Sequence, residues 1–179
     1  MNKNIEGDSP SIFSYSFFDS FLNSPPLNYS PSQSSMTIDE RYMSLALSEA
    51  KAALQQDEIP IGAVIVANGE IIGRGHNLTE TLHDVTAHAE MQAITAAAST
   101  IGGKYLNDCT LYVTVEPCPM CAGALAWSQI GRIVYGASDA KRGFSTIASN
   151  MLHPRTVVTS GVLREECERL MTDFFAKLR

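Results

Sequence analysis

His88-Ala89-Glu90 and Pro117-Cys118-Pro119-Met120-Cys121 are the two stretches from which the rest of the chain can be read. One imidazole and two thiols are ligand types that Zn²⁺ prefers, and three protein ligands leave a fourth tetrahedral position for water. That count suits catalysis, because a structural zinc site wants a fourth protein ligand. Glu90, two residues past the histidine, is the carboxylate such a water needs nearby to take its proton and pass it on. The competing readings of Cys-x-x-Cys are a redox pair and half of a structural zinc knot. The other histidines and cysteines, His76, His83, His153, Cys109 and Cys167, lie at no tight spacing to the pair. A redox pair would leave the His-x-Glu unexplained. The expectation is one zinc per chain, bound through His88, Cys118 and Cys121, with Glu90 as the catalytic acid and base.

The flanking residues place both stretches at the heads of helices. Thr110-Leu111-Tyr112-Val113-Thr114-Val115 is built almost entirely of β-formers and delivers Glu116-Pro117-Cys118 into a helix from about 119 to 129. Proline at the first helical turn suits that junction. Cys118 and Cys121 then lie one turn apart on one face. Thr86 reads as the N-cap of a second helix, from about 87 to 99. Residues two apart in mid-helix face nearly opposite ways, so His88 and Glu90 can share a pocket only in the first turn. There the free N–H groups and the helix dipole favour an anionic carboxylate.

Further out, the apolar positions of 39–56 recur at helical spacing. Asp57-Glu58-Ile59-Pro60 breaks that helix, and 61–66 reads as a buried strand. Asn68-Gly69 predicts a hairpin into a second strand over 70–75. Residues 78–85 form a polar connection. Strands over 133–136 and 156–159, a short helix near 147 and an amphipathic helix over 163–178 complete a chain of order α-β-β-α-β-α-β-β-α. That order predicts a three-layer α/β/α sandwich around a mixed sheet of about five strands.

Residues 1–35 differ in kind, with Ser9-Pro10-Ser11, Ser24-Pro25-Pro26 and Ser30-Pro31 interrupting scattered aromatics. Such composition cannot offset its own ordering entropy, so a disordered Ser/Pro-rich extension is expected before a catalytic domain over 36–179. Met36 as the biological start is the other open reading. Residues 1–35 lack the basic start and unbroken apolar run expected of a secretory signal, and no stretch of the sequence is long and apolar enough to span a membrane as a helix. With 45% hydrophobic residues in 179, the chain can bury one full core. Its four cysteines form no disulfide framework, which favours a reducing cytoplasm. A net charge of −6 argues against broad nonspecific nucleic-acid binding but leaves room for a local basic patch.

His-x-Glu followed by Pro-Cys-x-x-Cys is the signature of zinc-dependent nucleobase deaminases. Over residues 38 to 178 the sequence resembles the cytidine deaminase superfamily and, within it, the bacterial tRNA-specific adenosine deaminases. The resemblance is carried by Ile59-Pro60-Ile61-Gly62-Ala63-Val64, Gly75-His76-Asn77, Asp84 to Glu90, Leu111 to Cys118, Cys121-Ala122-Gly123-Ala124 and Gly131 to Gly136. It implies adenosine-to-inosine conversion in the anticodon loop of tRNA, a homodimer, and His88, Cys118, Cys121 and Glu90 in the roles already given. It also implies Asn77 as a contact to the target base; Ala89 is a further candidate for substrate contact, and Lys141 and Arg142 are candidates for phosphate contacts. A free nucleobase or nucleoside deaminase, of guanine or cytosine type, remains the alternative, because bacterial guanine deaminases share the zinc motif. A binding protein that kept the zinc and lost the chemistry would have no use for Glu90.

Overall fold

The computed structural model describes residues 36–178. The expected N-terminal extension therefore lies outside the described residues. Helix α1 (Ile38–Leu54) opens with a reciprocal cap: the Glu40 backbone N–H donates to Thr37 Oγ1, and the Thr37 N–H to the Glu40 carboxylate. Strands β1 (Gly62–Ala67) and β2 (Glu70–His76) pair antiparallel, as the Asn68-Gly69 turn requires. Both turn residues have positive φ, 51° and 81°, the geometry that suits the right-handed twist of a hairpin.

Helix α2 (Ala89–Ile101), β3 (Cys109–Val115), α3 (Pro119–Trp127), β4 (Arg132–Ala137), α4 (Phe144–Ile147), β5 (Val157–Ser160) and α5 (Arg164–Lys177) follow. The sheet order is β2-β1-β3-β4-β5, antiparallel up to β3 and parallel from there. This is the mixed five-stranded sheet that the element order predicts.

Strand alternation builds the layers. Ala63, Ile65, Leu111, Val113 and Ile133 face α2 and α3, where Ala89, Ala93, Ala97, Ala122 and Leu125 meet them. Val64, Val66, Tyr112 and Val134 face the other way, onto Tyr42, Met43, Ala46 and Leu47 of α1 and Cys167 of α5. The alanines of α2 bring its backbone close to β2. A side chain at Gly73 or Gly75 would strike the Ala93 or Ala89 carbonyl oxygen, so only glycine fits there. This packing holds the first turn of α2 beside the end of β2.

Asp39 joins the start of α1 to the sheet. Its carboxylate accepts both Arg132 guanidinium nitrogens, at 2.8 and 2.7 Å, and the Tyr112 hydroxyl at 2.9 Å. The bidentate pair with Arg132 holds the Asp39 carboxyl below its usual range.

The head of α2 differs from the sequence expectation. His88 is its N-cap, not Thr86, and the helix begins at Ala89. The reason is local competition: the Asp84 carboxylate accepts both the Thr86 N–H (2.8 Å) and the Thr86 hydroxyl (2.7 Å), so the Thr86 oxygen is engaged in an Asx turn.

Candidate active site

Both helices that carry the motif begin with an extended residue whose side chain does not cap its own helix. His88 caps α2 with φ −70° and ψ 156°, and Cys118 caps α3 with φ −72° and ψ 167°. Serine or aspartate at such a position would bend back onto the helix. Imidazole and thiol instead project forward and meet. His88 Nδ1 lies 3.7 Å from Cys118 Sγ and 3.5 Å from Cys121 Sγ. The three ligand atoms all fall within 4.8 Å of one another.

The donor set and its spacing fit zinc. Tetrahedral bonds of about 2.3 Å to sulfur and about 2.05 Å to nitrogen set sulfur and nitrogen roughly 3.6 Å apart, midway between the two observed separations. The thiols also divide charge unequally between themselves. Cys118 is held down to about 4, first by the hydrogen bond with Cys121, while that same pairing pushes Cys121 up. His88 is pushed up by its bond with Cys118. A divalent cation in their midst would let both thiols ionise and keep the imidazole neutral, so binding must release protons.

Glu90 stands at the second position of α2 and is buried, 4% exposed. Burial pushes its carboxyl up. Hydrogen bonds from its own backbone N–H and from Cys121 work in the opposite direction, without reversing the shift. A carboxyl of raised basicity beside three atoms of metal-ligand type is suited to take and return a proton. The Ala89 side chain is fully buried. Its backbone N–H, at the first position of the helix, has no carbonyl in a preceding turn to bond.

The family model for the cytidine and deoxycytidylate deaminase zinc-binding region matches residues 36–137. A tRNA-specific adenosine deaminase of Bacillus subtilis is 50% identical over 149 residues, which cover 80% of this chain and 92% of that protein. The chain belongs to the tRNA-specific adenosine deaminases of the cytidine deaminase superfamily. It is a zinc-binding hydrolytic deaminase. A solved structure from a study of A-to-I editing by tRNA:A34 deaminases at the wobble position is 42% identical, with a TM-score of 0.69 over 73% of this chain and 98% of that one. A guanine deaminase structure from Bacillus subtilis is also similar, at 36% identity and a TM-score of 0.54 over 64% of this chain and 70% of that one.

Within this deaminase fold the remaining expected site residues divide. Asn77 is buried, and its neighbour Leu78 donates its N–H to the carbonyl of Ala87, just before the head of α2, at 3.0 Å. Lys141 and Arg142 lie instead on an exposed turn after β4, where both their backbone N–H groups donate to Asp139 Oδ1 at 2.9 Å. That turn is not far adrift from the site. The Glu116 carboxylate accepts the Asp139 and Ser145 N–H groups, at 3.1 and 3.0 Å, and Phe144 N–H donates to the Pro117 carbonyl. The loop with the two cations therefore hangs on the residues just before Cys118.

Sequence reasoning gave no role to Glu116 or Glu58, the two buried carboxylates outside the motif among the described residues. For Glu116 a signal existed: a charge between Val115 and Pro117 at the end of a buried strand. Glu58 read only as a helix breaker.

Proposed function

We propose that this deaminase converts adenosine to inosine at the wobble position of a tRNA anticodon loop, with His88, Cys118 and Cys121 as the zinc ligands and Glu90 as the proton carrier. The observation that carries the reading is the placing of a buried carboxylate beside three converging metal-ligand atoms. The RNA substrate is supported by similarity that spans 92% of a tRNA-specific relative. Zinc, when bound, supplies the Lewis acidity that activates the attacking water. Two thiolates and a neutral imidazole cancel the charge of a divalent ion, so basicity at the site falls to Glu90. Glu90 accepts one water proton and delivers it to N1 of the ring as oxygen adds at C6; it then takes the remaining proton of that hydroxyl and gives it to the departing amine. Ammonia leaves and inosine remains. Asn77 and the Ala89 N–H orient the base, which leaves its stack at little cost because the loop is already single-stranded.

Incubating the protein with an anticodon stem-loop RNA, free adenosine, guanine or cytosine, and following ammonia, decides the substrate. Turnover of the RNA alone is the expected result. Rapid release from guanine or cytosine without RNA would replace this reading with a free-base enzyme.

Lys141 and Arg142 are proposed phosphate contacts. Binding of the stem-loop should weaken with salt, and replacing both with alanine should reduce the slope by roughly 1.4, at about 0.7 per phosphate on a single strand. Deamination of any small uncharged analogue should not change, because these side chains position RNA and do no chemistry. An unaltered slope would remove them from the interface.

We further propose a cytoplasmic homodimer. Among the described residues no helix is long and apolar enough to cross a membrane. A reducing compartment keeps the Cys118 and Cys121 thiols available to metal. Trp127, the chain's single tryptophan, is 86% exposed, and Met120 lies on the same face of α3 seven residues earlier. An apolar stripe on the helix that carries the metal is suited to a second copy. Trp127→Glu should convert a dimer to a monomer in sedimentation; a wild type that is monomeric at micromolar concentration would refute the assembly.

A further inference from the structure

Glu58 is fully buried, yet none of the salt bridges among the described residues involves it. An unpaired buried carboxylate is costly unless hydrogen bonds replace water. Four donors do so here: Thr81 N–H at 2.7 Å, the Asn77 side-chain nitrogen at 2.9 Å, Glu80 N–H at 3.3 Å and the Thr79 hydroxyl at 3.4 Å. Burial pushes the group up, and the bonds from Thr81, Glu80 and Asn77 outweigh it, so Glu58 stays ionised. These partners are not scattered. They all come from the short run that joins β2 to the turns before α2.

We propose that Glu58 is a positioning residue for the reaction: its carboxylate fixes the Asn77 amide and pins the 79–81 turn against the head of α2, setting the substrate-facing edge before RNA arrives. An ionised carboxylate only accepts, so it decides which end of an amide faces it. The Asn77 nitrogen is turned to Glu58 Oε2 and to Thr79 Oγ1 (3.0 Å), which fixes the side-chain rotamer and the placing of the carbonyl oxygen. The backbone on either side is held as well, by Asn77 N–H to the Ile61 carbonyl and Leu78 N–H to the Ala87 carbonyl, both at 3.0 Å. Ala87 adjoins His88. Glu58 itself is anchored to the end of α1 through its N–H and the Ala53 carbonyl. A single residue thus connects the end of α1 with the run after β2, and that run is bonded in turn to Ala87 beside the proposed zinc ligand. The inference rests on the proposed role of Asn77 as a base contact.

The test pairs kinetics with a signal that does not need turnover. Glu58→Gln nearly preserves shape but offers an amide N–H to the Thr81 and Glu80 N–H groups or to Asn77, which frees the Asn77 amide to rotate. In the ¹⁵N-labelled, zinc-loaded protein, the Asn77 side-chain amide, assigned by its loss in Asn77→Ala, should give two resolved and slowly exchanging protons. Glu58→Gln should shift them and speed their exchange. On stem-loop RNA, kcat/KM should fall roughly 10- to 100-fold, as for a misplaced orienting group, while the RNA dissociation constant stays within about 3-fold. In an Asn77→Ala background the same substitution should cost less than about 2-fold, because coupled residues do not add.

Equal losses in both backgrounds would make Glu58 merely structural, and full activity with Glu58→Gln would overturn the proposal outright. Should that variant not fold, Thr79→Val removes the second partner of the Asn77 nitrogen, and its loss must likewise vanish with Asn77→Ala. Solvent-rate exchange of the Asn77 amide in the wild type would also overturn it. A wild type inactive on RNA would sink the functional reading instead, with the amide signals still deciding Glu58.

Discussion

Glu90→Gln should lower deamination by at least about 10²–10⁴-fold, the range for a general acid and base, and should do so without loss of zinc or fold. Glutamine fills nearly the same space, and the three proposed ligands are untouched. The buried position, 4% exposed, adds a second expectation. Burial makes the ionised carboxylate unfavourable in the folded state, so the neutral amide should leave thermal stability equal to the wild type or above it. Loss of activity with a gain in melting temperature is the pattern of a residue kept for chemistry. Single-turnover rates, zinc content and thermal melts of the purified variant check all three points. Near-normal turnover would remove Glu90 from the mechanism.

Cys121→Ser should lose zinc on dialysis and lose activity with it. Serine is a hard, weakly acidic donor, and the two remaining ligands cannot close the site. Zinc bound to the folded chain stabilises it by mass action, about 4 kcal/mol when free metal stands a thousandfold above its dissociation constant. For a domain of this size that corresponds to a melting temperature lower by roughly 8–16 °C, and chelation of the wild type should reproduce the drop. Affinity should also fall with acid. Cys121 holds its proton tightly through its bond with Cys118, and binding must displace it, so each step down in pH opposes loading. A variant retaining stoichiometric zinc after dialysis would refute the assignment.

The elements were legible because their signals are local. Runs of apolar and β-forming residues gave the strands, Asn68-Gly69 gave the hairpin, and Pro119 marked the head of α3. The candidate metal ligands were legible for the same reason, since each sits in a short run of unusual chemistry. Thr86 was misread because a preference for capping does not say whether the oxygen is already engaged, and here Asp84 engages it. Lys141 and Arg142 were read as candidate phosphate contacts, but the turn that carries them, and its hold on Glu116, were not.

By itself, then, the sequence determined the order of elements, from that order the sandwich, and the identity of one imidazole, two thiols and one carboxylate at the heads of two helices. Only the tertiary structure decided the strand order, the separation of 3.5 to 3.7 Å between His88 and the cysteine sulfurs, and the work of Glu58 and Glu116. The physical reason lies in what those carboxylates bind. Their main partners are backbone N–H groups 22 to 29 residues away, and every non-proline residue has such a group. No residue type announces that bond, which exists only once the sheet has packed α2 and α3 side by side.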